Sequence, residues 1–270
     1  MKTIACIGSG NMGFALMKNA SNDNAVFFTD ADSEKAAAAA SSIGAKTLTS
    51  NKEAAIKGDY IFLAVKPQTL PLVLAEIAPV IKERLKTGQP PVLVSMAAGW
   101  TIGKIQSAAG EKTPVARLMP NTPALIGKGM IAMSVSPEVT NQNTRELKDI
   151  LDGAGIIDIL DEHYMDAVTG VSGSGPAFAF LFIEAMADGG VRAGLPRDKA
   201  LRYAAQTVIG AAAMIQETGK HPGELKDMVA SPGGTTIAGI AALEEGAFRG
   251  AVMKAVEAAR KRSEELGRNQ

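Results

Sequence analysis

The sequence predicts an α/β fold in which a doubly wound sheet domain (residues 1–161) precedes an all-helical domain (residues 162–270). Up to residue 161, short apolar runs alternate with helix-like segments, the pattern of strands joined by crossover helices. After residue 161 no convincing strand follows, and the remaining segments have helical length and spacing. A chain of 270 residues with 46% hydrophobic residues is long and apolar enough for two domains, each with its own core.

Eight apolar or β-branched runs of the first domain are predicted as strands. They lie at residues 4–7, 25–30, 60–65, 91–96, 113–119, 129–134 and 155–160, with a shorter strand starting at residue 48. Helices are predicted at residues 14–20, 33–41, 70–86 and 144–151, with a short one after residue 50. The run at 60–65 is typical of a parallel strand buried on both faces. Pro120–Pro123 is predicted as an extended turn.

The second domain is predicted to contain five helices separated by glycine and proline. They lie at residues 177–192, 196–217, from 222, 237–244 and 248–266, and a loop at Gly173–Pro176 is expected before the first of them. The first two contain long stretches of apolar and small residues with few charges. We therefore expect these two helices to share a core with a partner chain.

A Gly-x-Gly-x-x-Gly motif joins the first predicted strand to the first helix. Gly8 permits a tight turn, Gly10 has no side chain to block a pyrophosphate, and Gly13 lets the helix pack close to the strand. The free N–H groups and positive dipole end of that helix then face the phosphates. In this context the motif predicts a Rossmann-type dinucleotide-binding domain, the alternative being an ordinary glycine turn. The predicted cofactor-binding residues here are Gly8, Ser9, Gly10, Asn11, Met12 and Gly13.

Asp30 ends the second predicted strand, where an acidic residue bonds the adenosine ribose hydroxyls in dinucleotide-binding folds. A carboxylate there would repel a 2′-phosphate, so Asp30 favours NAD over NADP. The alternative is a helix N-cap, because Asp30 and Asp32 both precede the alanine-rich helix at 33–41. One residue could serve both purposes.

Two further strand ends are candidates for contact with the cofactor. Ligands of open α/β sheets bind outside the carboxyl ends of the strands, which places Lys66, after the strand at 60–65, near the cofactor. The alternative is a solvated loop lysine. Ala97 and Ala98 follow the strand at 91–96, and these small residues leave room for a flat ring or mark a turn.

Composition limits the class of partner and the compartment. The 28 basic residues balance the 28 acidic ones, so neither nucleic acid nor an anionic membrane is expected as the main partner. No apolar run approaches the ~18–20 residues of a membrane span, and no signal peptide is evident. The single cysteine, Cys6, is predicted as a small core residue rather than a nucleophile. We expect a small-molecule substrate and a cytoplasmic protein, and no metal site is predicted.

Ser231–Thr236 is the second feature with chemical meaning. A glycine pair between hydroxyl residues at a helix start offers several free N–H groups, which suits a substrate carboxylate. A plain helix–helix turn with a threonine cap explains the same residues. His163 and His221, the two histidines, are predicted as surface or capping residues, so no histidine is assigned as a general base.

The chain resembles the pyrroline-5-carboxylate reductases over essentially its whole length. The segment His221–Glu244 carries their C-terminal signature, with Ser231-Pro232-Gly233-Gly234-Thr235-Thr236 at its centre. The resemblance also rests on the segments at residues 7–13, 64–67, 117–123 and 166–177. It implies the reduction of a cyclic imine, 1-pyrroline-5-carboxylate, to L-proline, the last step of proline biosynthesis. A protonated imine already accepts hydride well, which agrees with the shortage of histidines.

The resemblance also implies roles for particular residues. It implies a substrate carboxylate at Gly234, Thr235 and Thr236, with Thr236 also reaching the ring nitrogen as hydrogen-bond partner or proton donor. Glu162 and Ser231 are implied to lie near the substrate. On the cofactor side it implies Asn51, the four residues Ala64, Val65, Lys66 and Pro67, and Ala97 with Ala98 beside the nicotinamide. The C-terminal helices are implied to form an interleaved dimer, which in this family is often part of a larger ring.

One departure from the family bears on the cofactor. Many members use NADPH and carry Asn-Arg or hydroxyl residues at the end of the second strand, where this chain has Asp30-Ala31-Asp32. The cofactor is therefore NADH or NADPH, and we favour NADH.

Two rival functions remain open from the sequence. A β-hydroxyacid dehydrogenase would carry a catalytic lysine on the helix after a similar glycine turn, and the matching Pro176–Ile183 has none. A non-catalytic dinucleotide sensor would have no need of the substrate anion site at Gly233–Thr236.

Overall fold

An eight-stranded sheet organises the first part of the computed structural model, which describes residues 1–268. Its strands are β1 (Thr3–Ile7), β2 (Ala25–Thr29), β3 (Lys46–Thr47), β4 (Tyr60–Leu63), β5 (Val92–Ser95), β6 (Val115–Met119), β7 (Gly129–Val135) and β8 (Gly155–Ile159). They follow the order β3-β2-β1-β4-β5-β6-β7-β8. The predicted α/β class is confirmed.

Six of the seven strand pairs in this sheet are parallel, and only β6 and β7 pair antiparallel. Only the segment Pro120–Lys128 joins them, and a parallel crossover needs a dozen residues or more. Part of this segment forms a 3₁₀ helix at Thr122–Ile126, where the sequence predicted an extended turn.

Helices cover both faces of the sheet, because alternate residues of each central strand point to opposite sides. They are α1 (Asn11–Ala20), α2 (Ser33–Ser42), α3 (Asn51–Lys57), α4 (Leu70–Lys86), α5 (Ile102–Ala109) and α6 (Asn141–Leu151). Tyr60 and Phe62 belong to the apolar cluster that includes α1, and Ile61 and Leu63 to the cluster that includes α4. All four residues of β4 are buried, as predicted for a parallel strand.

The chain divides into two compact units, one formed by residues 1–174 with the end of the chain from residue 258, the other by residues 175–257. The remaining helices are α7 (Met165–Val168), α8 (Gly175–Arg192), α9 (Arg197–Thr218), α10 (Pro222–Met228), α11 (Thr235–Glu245) and α12 (Phe248–Arg268). The predicted loop at Gly173–Pro176 is wrong. A π-helical turn at Thr169–Gly173 precedes α8, and Pro176 falls in the first turn of α8, where its missing N–H costs nothing.

The second unit has almost no core of its own. Its buried hydrophobic side chains are three alanines, Ala187, Ala200 and Ala204, where α8 packs on α9. Phe180 and Leu181 are 61% and 65% exposed. The segment Glu162–Arg192 is long and apolar enough to span a membrane by length and composition alone, contrary to the sequence expectation. This is weak evidence for a span, because the core helix of a soluble protein passes the same test.

Candidate active site

Gly8 forms the turn at the carboxyl end of β1 with a backbone conformation that only glycine adopts freely. Its φ is +100°, and a Cβ there would lie 2.5 Å from the Ala64 carbonyl oxygen. The Gly8 N–H donates to the Thr29 carbonyl at 2.8 Å, and the Ala64 N–H to the Ile7 carbonyl at 2.8 Å. The predicted turn is confirmed, and it is wedged between the ends of β2 and β4.

Gly10 and Gly13 differ in what surrounds them. A Cβ on Gly13 would lie 2.4 Å from the Gly8 carbonyl oxygen and 3.1 Å from the Cys6 sulfur, so α1 packs directly on β1 as predicted. A Cβ on Gly10 would meet nothing within 4 Å. Open space therefore borders the glycine-rich loop where α1 begins, which fits a pyrophosphate group.

Asp30 holds the glycine-rich loop from the end of β2. Its Oδ2 accepts hydrogen bonds from the Ser9 N–H (2.7 Å) and the Ser9 hydroxyl (2.8 Å), and its Oδ1 accepts one from the Asp32 N–H at 3.1 Å. The N-cap of α2 is Asp32, which accepts from the Glu34 and Lys35 amides. The alternative of Asp30 as the helix cap is therefore wrong.

Those hydrogen bonds keep Asp30 ionised. Burial raises the pKa of the Asp30 carboxyl, but the donors from Ser9 and Asp32 and the nearby Lys35 ammonium outweigh it, so the pKa lies below its ordinary value. A charged acceptor thus stands at the end of β2. It is suited to ribose hydroxyls and unsuited to a second anion.

A cavity of about 530 Å³ opens at the carboxyl ends of β1, β2 and β4. Seven predicted cofactor residues border it: Gly8, Gly10, Asp30, Asn51, Ala64, Val65 and Lys66. Seven others do not: Ser9, Asn11, Met12, Gly13, Pro67, Ala97 and Ala98. Of these, Ser9 donates hydrogen bonds to Asp30, and Gly13 packs against the Gly8 carbonyl, so both stabilise the loop.

Sequence reasoning missed several residues of the same cavity. They are Ile7, Thr29, Ala31, Lys35, Thr49, Ser50, Thr69, Val73 and Glu76. Glu76 accepts a hydrogen bond from the Asn51 side-chain amide at 2.8 Å. Lys35 lies five residues after Asp30 on α2, so its closeness to Asp30 in the sequence was a usable signal. Glu76 had no such signal, because α4 reaches the cavity only through the fold.

Ala97 and Ala98 follow β5, and Trp100 anchors the loop that contains them. Ala97 is buried, and the Trp100 indole N–H donates to the Pro67 carbonyl at 3.2 Å. The loop after β5 is therefore tied to the loop after β4. Both loops belong to the carboxyl edge of the sheet, where the sequence predicted the cofactor.

Glu162 forms an ion pair with a buried arginine, which the sequence did not predict. Its Oε1 accepts from Arg117 Nη1 at 3.0 Å and from the Ile102 N–H, the first amide of α5, at 2.8 Å. The Arg117 side chain is 5% exposed, and its buried Nε has no hydrogen-bond partner among residues 1–268. Glu162 thus neutralises a buried arginine and satisfies one of the free amides at the start of α5.

The glycine pair of the second unit makes the turn into α11. Gly233 has a φ of +64°, and the Ser231 hydroxyl occupies the place of a Gly234 side chain, since a Cβ there would lie 2.2 Å from it. Gly234 is the N-cap of α11 and makes no side-chain cap, so the alternative of a threonine cap is wrong. Thr235 and Thr236 are the first two residues of the helix, where backbone N–H groups point away from it.

The remaining titratable candidates have structural roles. Burial, and secondarily the charge of Asp30, raises the pKa of the Cys6 thiol, which donates to the Gly8 carbonyl at 3.2 Å, so Cys6 is a core residue as predicted. His221 caps α10 by accepting from the Gly223 N–H at 3.1 Å. Within residues 1–268, no cluster of three His, Cys, Asp or Glu side chains could hold a metal ion.

The sheet order, the glycine-rich loop and the cavity beside it define a Rossmann-type dinucleotide-binding protein. Two family models match the chain. The model described as pyrroline-5-carboxylate reductase dimerisation matches residues 162–266, and the one described as NADP oxidoreductase, coenzyme F420-dependent, matches residues 3–99.

Named relatives match nearly the whole chain. The pyrroline-5-carboxylate reductase of Pisum sativum is 44% identical over 269 residues, covering 98% of this chain and 96% of the relative. That of Escherichia coli is 40% identical over 273 residues, covering 99% of each. The chain belongs to the pyrroline-5-carboxylate reductase family. The family resemblance found in the sequence is confirmed.

Solved structures agree with this assignment. Plasmodium falciparum pyrroline carboxylate reductase with NADP bound aligns with a TM-score of 0.86 and 32% identity, covering 98% of both chains. The pyrroline-5-carboxylate reductase of Coxiella burnetii aligns with a TM-score of 0.88 and 31% identity over the same share of both. These relatives favour the imine reductase over the two rival functions.

Proposed function

We propose that the chain reduces 1-pyrroline-5-carboxylate to L-proline with a nicotinamide dinucleotide as hydride donor. The observation that carries the proposal is the open space at Gly10, bordered by the cavity at the carboxyl edge of the sheet, in a chain of this family. The cofactor supplies the hydride chemistry, and the protein supplies position and electrostatics.

Each part of the cavity suits one part of the dinucleotide. The loop from Gly8 to Gly13 and the start of α1 would hold the pyrophosphate, and Asp30 with Asn51 the adenosine ribose. Ala64, Val65, Lys66 and Pro67 would contact the cofactor after β4, and Ala97 with Ala98 would lie beside the nicotinamide. We further propose that NADH is preferred, because the ionised Asp30 carboxylate disfavours a 2′-phosphate.

The turn into α11 is the proposed substrate anion site. Gly234, Thr235 and Thr236 would hold the carboxylate of the substrate, with the amides of Thr235 and Thr236 as donors, because a helix N-terminus offers free donors and a positive dipole end. The Gly234 N–H donates to the Ser231 carbonyl at 3.1 Å and so shapes the turn. The Thr236 hydroxyl would reach the ring nitrogen as hydrogen-bond partner or proton donor, and Ser231 and Glu162 would lie close by. No histidine base is required, because the protonated imine already accepts hydride.

The second unit is proposed to bind another copy of the chain. Its three buried alanines make too small a core for a helical domain, and apolar side chains of α8 and α9 are exposed. We propose a homodimer through the C-terminal helices, assembled further into a ring of dimers, in the cytoplasm. We also propose that the functional boundary lies between residues 161 and 162, and the match to the dimerisation model, which begins at residue 162, supports this proposal.

Product analysis tests the reaction. Purified protein, reduced cofactor and pyrroline-5-carboxylate should yield proline in a one-to-one ratio to the cofactor oxidised, over many turnovers. A reaction without substrate is the control. Cofactor oxidation without proline, or no oxidation by a protein that binds the cofactor, would contradict the proposal and favour a sensor.

A further inference from the structure

Glu76 borders the cofactor cavity from a helix that sequence reasoning did not connect with it. Thr69, Val73 and Glu76 all line the cavity, and their spacing puts them on one face at the start of α4. Glu76 is half-buried, and its Oε2 accepts the Asn51 side-chain amide at 2.8 Å. Asn51, the first residue of α3, lines the same cavity.

This contact fixes how the Asn51 amide is oriented. An ionised carboxylate can only accept hydrogen bonds, so Asn51 must turn its nitrogen toward Glu76 and its oxygen to the other side. The Glu76 carboxylate and the Asn51 carbonyl oxygen are both acceptors. Such a pair suits a ribose hydroxyl, which can donate, and does not suit a phosphate, which at neutral pH mainly accepts.

The charges around the cavity act in the same direction. Two carboxylates, Asp30 and Glu76, and two ammonium groups, Lys35 and Lys66, border it. Asp30 already receives donors from Ser9 and Asp32. A 2′-phosphate would bring a charge of about −2 into this balanced set, and Glu76 would add a second repulsion to that of Asp30.

We propose that Glu76 is a specificity-determining residue that selects a dinucleotide with a free 2′-hydroxyl on its adenosine ribose. It acts by its charge and by holding the Asn51 amide. The inference rests on the proposed cofactor-binding function and assigns part of the proposed NADH preference to a residue outside the glycine-rich motif and β2.

The test measures binding without any reaction. Isothermal titration calorimetry compares ADP-ribose with 2′-phospho-ADP-ribose, neither of which contains nicotinamide. Glu76→Gln keeps the size of the side chain and an oxygen for the Asn51 amide but removes the charge. We expect it to shift the affinity ratio toward the phosphorylated ligand about three- to tenfold, and less at high salt.

Glu83→Gln is the matched control. Glu83 lies on the same helix, pairs with Lys86 at 3.3 Å and is not among the cavity residues. The ratio of the two ligand affinities in Glu83→Gln should stay within about twofold of the wild-type ratio, because Glu83 belongs to an exposed ion pair. Equal ratios in Glu76→Gln and Glu83→Gln would overturn the role of Glu76.

The outcomes separate this inference from the proposed function. A wild type that prefers the phosphorylated ligand would contradict the NADH proposal, yet a further shift in Glu76→Gln would still support Glu76 as a specificity residue. A wild type that prefers ADP-ribose, with no shift in Glu76→Gln, would overturn Glu76 alone. A loss of reductase activity in a variant would change neither conclusion, because the experiment measures ligand binding and not turnover.

Discussion

Gly13 packs so closely on Gly8 that a side-chain carbon at position 13 would lie 2.4 Å from the Gly8 carbonyl oxygen. Such an approach is below any normal contact, and the atoms it would press on are backbone. The first helix therefore sits where it does because residue 13 has no side chain. The same helix start faces the open space at Gly10.

Gly13→Ala should destabilise the fold, and Gly10→Ala should not. We expect Gly13→Ala to lower the free energy of unfolding by about 1–3 kcal/mol, because the backbone must shift to admit the methyl group. Gly10→Ala should unfold like the wild type but bind NADH more weakly, since its methyl group enters the space proposed for the pyrophosphate. Denaturant unfolding and fluorescence titration measure the two effects. Equal stability losses in the two variants would contradict the account.

Asp30 should make the free energy of unfolding depend on pH in the acidic range. Its pKa in the folded protein lies below the ordinary value of 3.8, so it stabilises the fold above that value and ceases to do so as the pH falls through the folded pKa. From about pH 5 to pH 2 the free energy of unfolding of the wild type should therefore fall more than that of Asp30→Asn. Ser9→Ala, which removes one of the donors to Asp30, should lie between them. Parallel curves for all three would show that the Asp30 hydrogen bonds do not stabilise the fold.

Glu162→Gln should cost far more stability than the loss of a surface pair. Removing the charge leaves the buried Arg117 guanidinium uncompensated, and we expect a loss of roughly 2–3 kcal/mol because Glu162 itself is partly exposed. Asp188→Asn is the control, since its pair with Arg197 is exposed on both sides and should cost less than about 1 kcal/mol. Chemical denaturation of both variants measures the difference. Similar losses would mean that burial adds nothing to the Arg117–Glu162 pair.

Thr236→Ala should lower turnover and leave cofactor affinity nearly unchanged. We expect a fall in kcat of about 10²-fold or more if the hydroxyl donates a proton to the ring nitrogen. Thr218→Ala, which removes an exposed hydroxyl bonded to the Met214 carbonyl at the end of α9, is the control and should keep full activity. Steady-state rates and NADH titration separate the two quantities. Unaltered turnover in Thr236→Ala would remove this hydroxyl from the mechanism.

The sequence predicted the parts of the fold that local pattern determines. Apolar runs located seven of the eight strands, and the spacing of Gly8, Gly10 and Gly13 located the turn and the helix contact. The third strand was predicted to start at residue 48 but lies at Lys46–Thr47, because this short exposed strand has no apolar run to mark it. The direction of β7 was not predictable from its composition. It follows from the short link after β6, which excludes a crossover. The helix α5, capped by Thr101, was missed because it is only eight residues long.

The contacts that shape the site were harder to predict because they join distant parts of the chain. Glu162 meets Arg117 and Ile102, and Asn51 meets Glu76, only once the sheet and its helices have formed. Local sequence patterns identify the motifs at the ends of β1 and β2. They do not indicate which side chain of α4 lies against the same cavity. The sequence therefore predicted the motifs that border the cavity better than the contacts between distant side chains that line it.

The measurement that tests the central claim most directly is the initial rate of cofactor oxidation with pyrroline-5-carboxylate, run in parallel with NADH and NADPH. The account predicts rapid loss of the reduced-nicotinamide absorbance, with proline as product and a higher kcat/KM for NADH than for NADPH. No loss with either cofactor, in a protein shown to bind them, would contradict the reductase function. Rapid loss with NADPH and a lower kcat/KM for NADH would contradict the selective role given to Asp30.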